Sequence, residues 1–351
     1  MITIFTPSFA DDANTNAQNL TVKEVVSRLS PDRFRVLLLG EGEPDPRIRA
    51  RKNTEILRAG RHGNTARWLT RVLLSKIDIY FFPRQGPLDS LFLSFRRSLR
   101  LRVSLVTYIV MALDEIDLGL TTTRSIRDAD CVVGNSRYVS QTVQNRFGVE
   151  CRTIYDGIDR QLFHPPTEAR QPESKLTVLY CGSLQARKKA TAVIREAAKW
   201  PTVEFRLVGK GEEEASCRSL VSELGCGNVT FVGHLSQQGV AEEMRKADVF
   251  LFPSVLEGHP QVLGQAASSG LPAVAMNKYQ PDYVVNGETG YLVESENELS
   301  QKLSWLLSDQ NLRLRMSAAA ARHAEQFNWD KVAQDWQSVF VEATGKRRGK
   351  F

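Results

Sequence analysis

The chain has 351 residues, of which 42% are hydrophobic and 25% charged, the composition of an ordinary globular protein. One core rarely grows past about 250–300 residues, so two domains are expected. The net charge of +6 and a pI near 9.1 favour anionic partners such as nucleotides, lipid headgroups or phosphorylated intermediates, and no nucleic acid is expected among them.

The first residues, Met1-Ile2-Thr3-Ile4-Phe5, have neither a basic lead nor a long apolar run, so no signal peptide and a cytoplasmic location are expected. Residues 2–5 predict a strand, and a polar loop over 12–16 leads to a helix through Leu29, with Asn14 or Thr15 as N-cap. Further strands are predicted over 34–39, 77–82, 103–110 and 131–133, and a charged, Pro-bearing loop over 40–51. The segment 90–102, SLFLSFRRSLRLR, has two readings. It is either a core helix with a basic solvent edge or a peripheral membrane contact, its Leu and Phe residues entering the bilayer surface and its Arg residues meeting anionic headgroups. The most apolar stretch, 105–113, is too short to span a bilayer. Ser136 caps a predicted amphipathic helix over 137–147. Five cysteines, at 131, 151, 181, 217 and 226, lack metal-like spacing and read as reduced.

A polar run over 167–175 separates a second series of strands over 176–181, 203–208, 229–233 and 248–252, alternating with helices. Such alternation predicts a parallel sheet covered on both faces in each half. The most informative stretch is 247–275, ADVFLFPSVLEGHPQVLGQAASSGLPAVA. It reads as a buried strand, a loop with Glu257, Gly258, His259 and Pro260, a helix from Gln261 and Val262 to Gly270, and another strand. A loop that meets a helix N-terminus offers free backbone N–H groups and the positive dipole end, both suited to phosphate.

This stretch resembles the donor-site signature of family 4 glycosyltransferases. Other segments resemble the same family in the same order: RTIYDGIDRQLFHPP over 152–166, the loop from Gly182 to Lys189, the turn Gly209-Lys210-Gly211, and the turn at His234 and Leu235. The resemblance implies an α/β chain of the GT-B fold, two Rossmann-like domains facing each other across a cleft. The acceptor-side domain would be 1–165, the nucleotide-sugar domain 166–328, and a terminal helix over 329–345 would cross back to the first. It also implies a retaining glycosyltransferase that moves a sugar from a nucleotide-diphosphate donor to an acceptor hydroxyl on a glycan or lipid-linked molecule.

Within that resemblance Glu257 lies by the donor sugar, and Lys188 neutralises the diphosphate. Ser183 stands where the family has Arg, and Arg187 is its candidate substitute. Arg187 to Lys189 also read as a plain solvated helix start, and Glu257 as a surface carboxylate. Gln265 stands where a Glu usually holds the ribose, and an amide offers a single acceptor oxygen there. Gly209, His234, Leu235, Gly258, His259, Pro260, Gln261 and Val262 complete the implied nucleotide site. Asn14, Thr15 and Asn16 occupy the place of a Gly pair near the donor phosphates, and they serve equally well as a helix cap. No metal and no cofactor are expected, because fixed cations would neutralise the leaving group. The family's first-domain His has no counterpart, with Val110-Met111-Ala112 in its place. Two other readings stay open: a catalytically impaired binding or regulatory subunit, and a nucleotide-sugar epimerase.

Overall fold

A computed structural model of the chain describes residues 1–7, 17–40, 43–58, 65–81, 87–111, 113, 120–167 and 175–348. They form two compact units, Met1–Gly157 with Trp329–Phe351, and Ile158–Asn328.

In chain order the first unit contains β1 (Ile2–Thr6), α1 (Ala17–Arg28), β2 (Phe34–Gly40), α2 (Pro46–Ala50), β3 (Thr54–Arg58), α3 (Thr65–Leu74) and β4 (Ile79–Phe81). It continues with α4 (Pro87–Ser98), β5 (Ser104–Ile109), α5 (Leu120–Arg127), β6 (Cys131–Gly134), α6 (Arg137–Phe147) and β7 (Cys151–Thr153). The second contains β8 (Thr177–Cys181), α7 (Ala190–Lys199), β9 (Glu204–Val208), α8 (Glu214–Leu224), β10 (Val229–Gly233), α9 (Gln237–Lys246) and β11 (Val249–Phe252). After these come α10 (Gln261–Ser268), β12 (Ala273–Met276), β13 (Gly290–Val293), α11 (Glu296–Ser308) and α12 (Gln310–His323). The last helix, α13 (Trp329–Arg348), belongs to the first unit.

The first sheet has the order β3-β2-β1-β4-β5-β6-β7 and the second β10-β9-β8-β11-β12-β13, with every pairing parallel. Strands buried on both faces read as nearly continuous apolar runs. Val249–Phe252 and Ser104–Ile109 are accordingly buried at every position. This is the doubly wound Rossmann-like plan, in which the strand order reverses once. Ligands bind outside the carboxyl ends of the strands at that reversal. In the second sheet it falls between β8 and β11.

Several elements exceed the sequence expectation, two strands and a short helix among them. α2 and β3 lie in and just after what reads as a charged loop, and β7 is a three-residue edge strand that pairs with β6. All three are short, and β3 carries Glu55 and Arg58 among its five residues, so periodicity is too weak to reveal them. The cap at Ser136 is present, its hydroxyl accepting the Val139 amide at 3.1 Å.

α13 packs on α1 and β5, with Trp329, Val332, Trp336, Val339 and Phe340 in one core with Val22, Val25, Phe34 and Phe81. Beside that core is a buried carboxylate. Asp156 accepts hydrogen bonds from Thr21 Oγ1 at 2.7 Å, Tyr108 Oη at 2.6 Å and Asn135 Nδ2 at 3.1 Å. Burial pushes its pKa up, and the three donors oppose the rise.

Candidate active site at the carboxyl ends of the second sheet

The reversal point of the second sheet is where the loop after β8 meets the loop after β11. Val255 N donates to Arg187 O at 3.0 Å, which ties the two loops together. The turn after β9 joins them: Gly182 N donates to Val208 O at 2.9 Å and Leu184 N to Lys210 O at 3.0 Å. The turn after β10 completes the group, with Gly209 N donating to Gly233 O at 2.8 Å. Gly209 is required here. Its φ is +134°, and a Cβ would lie 1.9 Å from Gly182 O. Four strand-end loops thus form one continuous floor.

Charge gathers on that floor. Residues 186–188 form a 3₁₀ turn, and Lys189 then takes a left-handed φ of 53° as α7 begins. The turn brings Lys188 Nζ and Arg187 to the same carboxylate oxygen, Glu257 Oε1, Arg187 at 3.3 Å and Lys188 in closer contact. Ser254 Oγ also donates to that oxygen, and Arg187 donates to Leu256 O at 2.8 Å. The Lys188 ammonium lies 5.2 Å from the centre of the Phe252 ring, a cation–π distance. Lys188 and Glu257 have side-chain exposures of 12% and 10%, against 42% for Arg187. Burial lowers the Lys188 pKa, and the Glu257 carboxylate raises it part of the way back. Two cations share one anion, so one positive charge is left over for a ligand.

Sequence reading expects a surface carboxylate or a sugar contact at Glu257. The structure makes it the partner of both predicted phosphate-binding cations. Ser183 takes no part through its side chain in any described contact. Its carbonyl accepts from Tyr180 Oη at 3.0 Å.

α10 starts after Pro260, which provides no side-chain cap. Its first N–H groups are therefore left to solvent or a ligand. Gln261 Nε2 and Tyr279 Oη are buried polar atoms with no hydrogen-bond partner among the described residues. Burial raises the Tyr279 pKa, and Glu257 adds to the rise, which marks that phenol as a neighbour of the charged cluster. Buried polar atoms left unsatisfied in this way call for a ligand or water.

Gln265 is 8% exposed. Its Nε2 donates to Gln237 Oε1 at 3.0 Å, so the α10 position that departs from the family pattern is paired with the first residue of α9. Its own oxygen is then the acceptor it retains for a ligand. Gln237 and Tyr279 carry no motif of their own and are invisible to sequence reading. They enter only when strand ends converge.

His259 is packed inside the loop. Its ring stacks on Tyr283, with centroids 3.8 Å apart and planes 20° apart, and also approaches Phe327. Burial pushes its pKa down to about 3, so it is a neutral packing residue of the loop and not a cation for phosphate. His234 is exposed and Leu235 half-buried directly after β10. Gly258 and Pro260 are buried, while Val262 is half-buried in the first turn of α10. Asn14, Thr15 and Asn16 lie outside the described residues, as does Ala112.

Residues 166–323 match the family of glycosyl transferases group 1. Among curated relatives, the D-inositol 3-phosphate glycosyltransferase of Kribbella flavida is 26% identical over 245 residues, which cover 62% of this chain and 58% of that protein. The match therefore spans a little over half the relative's length. Among solved structures, sucrose-phosphate synthase from Thermosynechococcus elongatus superposes with a TM-score of 0.77 at 19% identity, covering 99% of this chain and 100% of that one. Anabaena HepE in complex with UDP superposes with a TM-score of 0.78 at 18% identity, covering 97% and 100%. Residues 166–323 are a glycosyl transferases group 1 domain, and the chain that carries them has the GT-B architecture of glycosyltransferases.

Proposed function

We propose that the protein is a retaining glycosyltransferase of family 4 type, moving a sugar from a nucleotide-diphosphate sugar to an acceptor hydroxyl. The observation that carries the reading is the cluster of Lys188, Arg187 and Glu257 at the reversal point of a group 1 domain. Support for a nucleotide donor comes from a neighbour of the same fold, HepE, which was solved with UDP. The acceptor would be a glycan or a lipid-linked molecule in bacterial glycan, polysaccharide or glycolipid synthesis.

In this reading the bond between the anomeric carbon and the diphosphate oxygen breaks, and its electron pair stays on the phosphate. A new bond forms from the same face to the acceptor oxygen, whose proton passes to the departing phosphate. Lys188 and Arg187 meet the charge that grows on the leaving group, so the reading needs neither a metal nor a cofactor beyond the donor. Fixed cations in a partly dry site stabilise such charge well. The N–H groups at the start of α10 add to them. Glu257 begins as the counter-anion of the two cations. When the diphosphate takes them over, the carboxylate is released to accept hydrogen bonds from sugar hydroxyls. Gln265 accepts from the ribose through its oxygen while Gln237 holds its nitrogen.

The test is turnover of a panel of sugar nucleotides, followed as nucleoside diphosphate release with and without glycan acceptors. Release that falls at least tenfold in Lys188→Ala supports the reading. Binding of nucleotide with no release under any condition would instead favour a binding or regulatory subunit, the role that Ser183 and Gln265 suit.

A further inference from the structure

Helix α4 buries one side and leaves another uncovered. Phe92 and Leu93 sit in the core of the first unit with Val72, Tyr80 and Leu105. Leu91, Phe95 and Leu99 are spaced four residues apart along the helix and its C-terminal turn, so they share one edge. They are 40%, 39% and 58% exposed. Beside α4 packs α3, whose last residue, Leu74, is also exposed.

The charge around this edge has one sign. From Ser90 to Leu113 the chain has no Asp or Glu, and Arg97, Arg100 and Arg102 are exposed. Arg96 is different, although it looks like part of the same run. Its guanidinium is tied to Val103 O at 2.9 Å, Asp128 O at 2.8 Å and the Asp130 carboxylate at 2.5 Å, so it holds α4 to the sheet. One side of the helix is therefore core, and Leu91, Phe95 and Leu99 mark an exposed apolar edge on another.

We propose that this edge of α4 docks on an anionic lipid bilayer. Leu91, Phe95 and Leu99 enter the boundary between headgroups and acyl chains, while Arg97 and Arg100 meet headgroup phosphates. A narrow apolar strip with cations beside it, and no acidic residue along the segment, is the complement of such a surface. A protein partner of mixed charge would find no cation-binding group here. The proposal does not rest on the donor-site reading, because these residues belong to the first unit and the donor-side loops to the second.

Flotation of the full chain with vesicles of phosphatidylglycerol and phosphatidylcholine, against phosphatidylcholine alone, tests it. Wild type floats with the anionic vesicles at low salt and is weakened by added salt. Partition falls at least tenfold in Leu91→Ser/Phe95→Ser and in Arg97→Glu/Arg100→Glu, with the thermal unfolding midpoint unchanged. If the double variants do not fold, Leu99→Trp serves instead, and its added emission shifts to the blue with anionic vesicles. Wild type staying in the soluble fraction at low salt overturns the proposal. So does flotation that survives both double variants, or a dimer in light scattering that Phe95→Ser abolishes, since a second copy would then cover the edge.

Discussion

Replacing Glu257 by Gln separates the two roles assigned to that carboxylate. Its Oε1 holds Lys188, Arg187 and Ser254 at once, so a diphosphate must displace it before taking the cations. Hydrogen bonds to charged groups contribute about 1.5–3 kcal/mol, against about 0.5–1.5 for neutral ones. The amide keeps the shape but lowers the cost of that displacement by about 1–2 kcal/mol. Arg187 supplies little of this because it is 42% exposed and screened by solvent. Lys188 supplies most. Nucleoside diphosphate should therefore bind Glu257→Gln about tenfold more tightly than wild type, while sugar transfer falls at least tenfold for want of a carboxylate at the sugar. The pH dependence adds a second signature. Burial already lowers the Lys188 pKa, and Glu257 raises it. Binding that needs the ammonium is lost as pH rises through that depressed pKa, and in Glu257→Gln the loss comes at lower pH. Calorimetric titration of both proteins with nucleoside diphosphate across the alkaline range reads both effects. Weaker or unchanged affinity in the variant would refute the displacement argument.

Four further substitutions, one of them a control, test other parts of the account. His259→Phe keeps the stack on Tyr283 but removes a group whose folded pKa is pushed down to about 3. Above about pH 6.5 the wild-type ring is neutral in both states; below it the unfolded chain takes a proton that the fold refuses, and by pH 5 this costs about 2 kcal/mol. The variant should lose less of its unfolding midpoint than wild type between pH 7 and 5, and an equal loss would count against a buried neutral ring. Gly209→Ala puts a methyl 1.9 Å from Gly182 O at a φ of +134° and should cost about 2–4 kcal/mol in urea unfolding. Gly227→Ala, with open space around its Cβ, should change stability by less than about 0.5 kcal/mol; similar values for the two would undo the strain argument. Gln265→Glu should be accommodated by a half-turn of the Gln237 amide and tighten nucleotide binding by about 1 kcal/mol, whereas a loss of affinity would mean that the amide nitrogen is needed.

The parallel sheets were legible in the sequence because strands buried on both faces read as nearly continuous apolar runs, as 249–252 does throughout and 103–110 does apart from Ser104 and Thr107. The short edge element Cys151–Thr153 and the charged strand Thr54–Arg58 carried no such signal. The donor-side loops were legible as motifs, but not their mutual engagement. Lys188 and Glu257 are 69 residues apart, and only the sheet order brings them together. Arg96 shows that residue type predicts charge, whereas burial and partners decide its use, for its guanidinium holds α4 to the sheet. Asp156 shows the reverse case, since its three donors come from Thr21, Tyr108 and Asn135 on separate elements.

The central claim is that the cations after β8 hold a nucleoside diphosphate. Calorimetric titration of wild type and Lys188→Ala with a panel of nucleoside diphosphates tests it most directly. The account predicts that at least one member binds wild type, and that Lys188→Ala binds it at least tenfold more weakly while unfolding at the same temperature. Equal affinity in the two proteins, or no binding of any nucleotide to wild type, would contradict it.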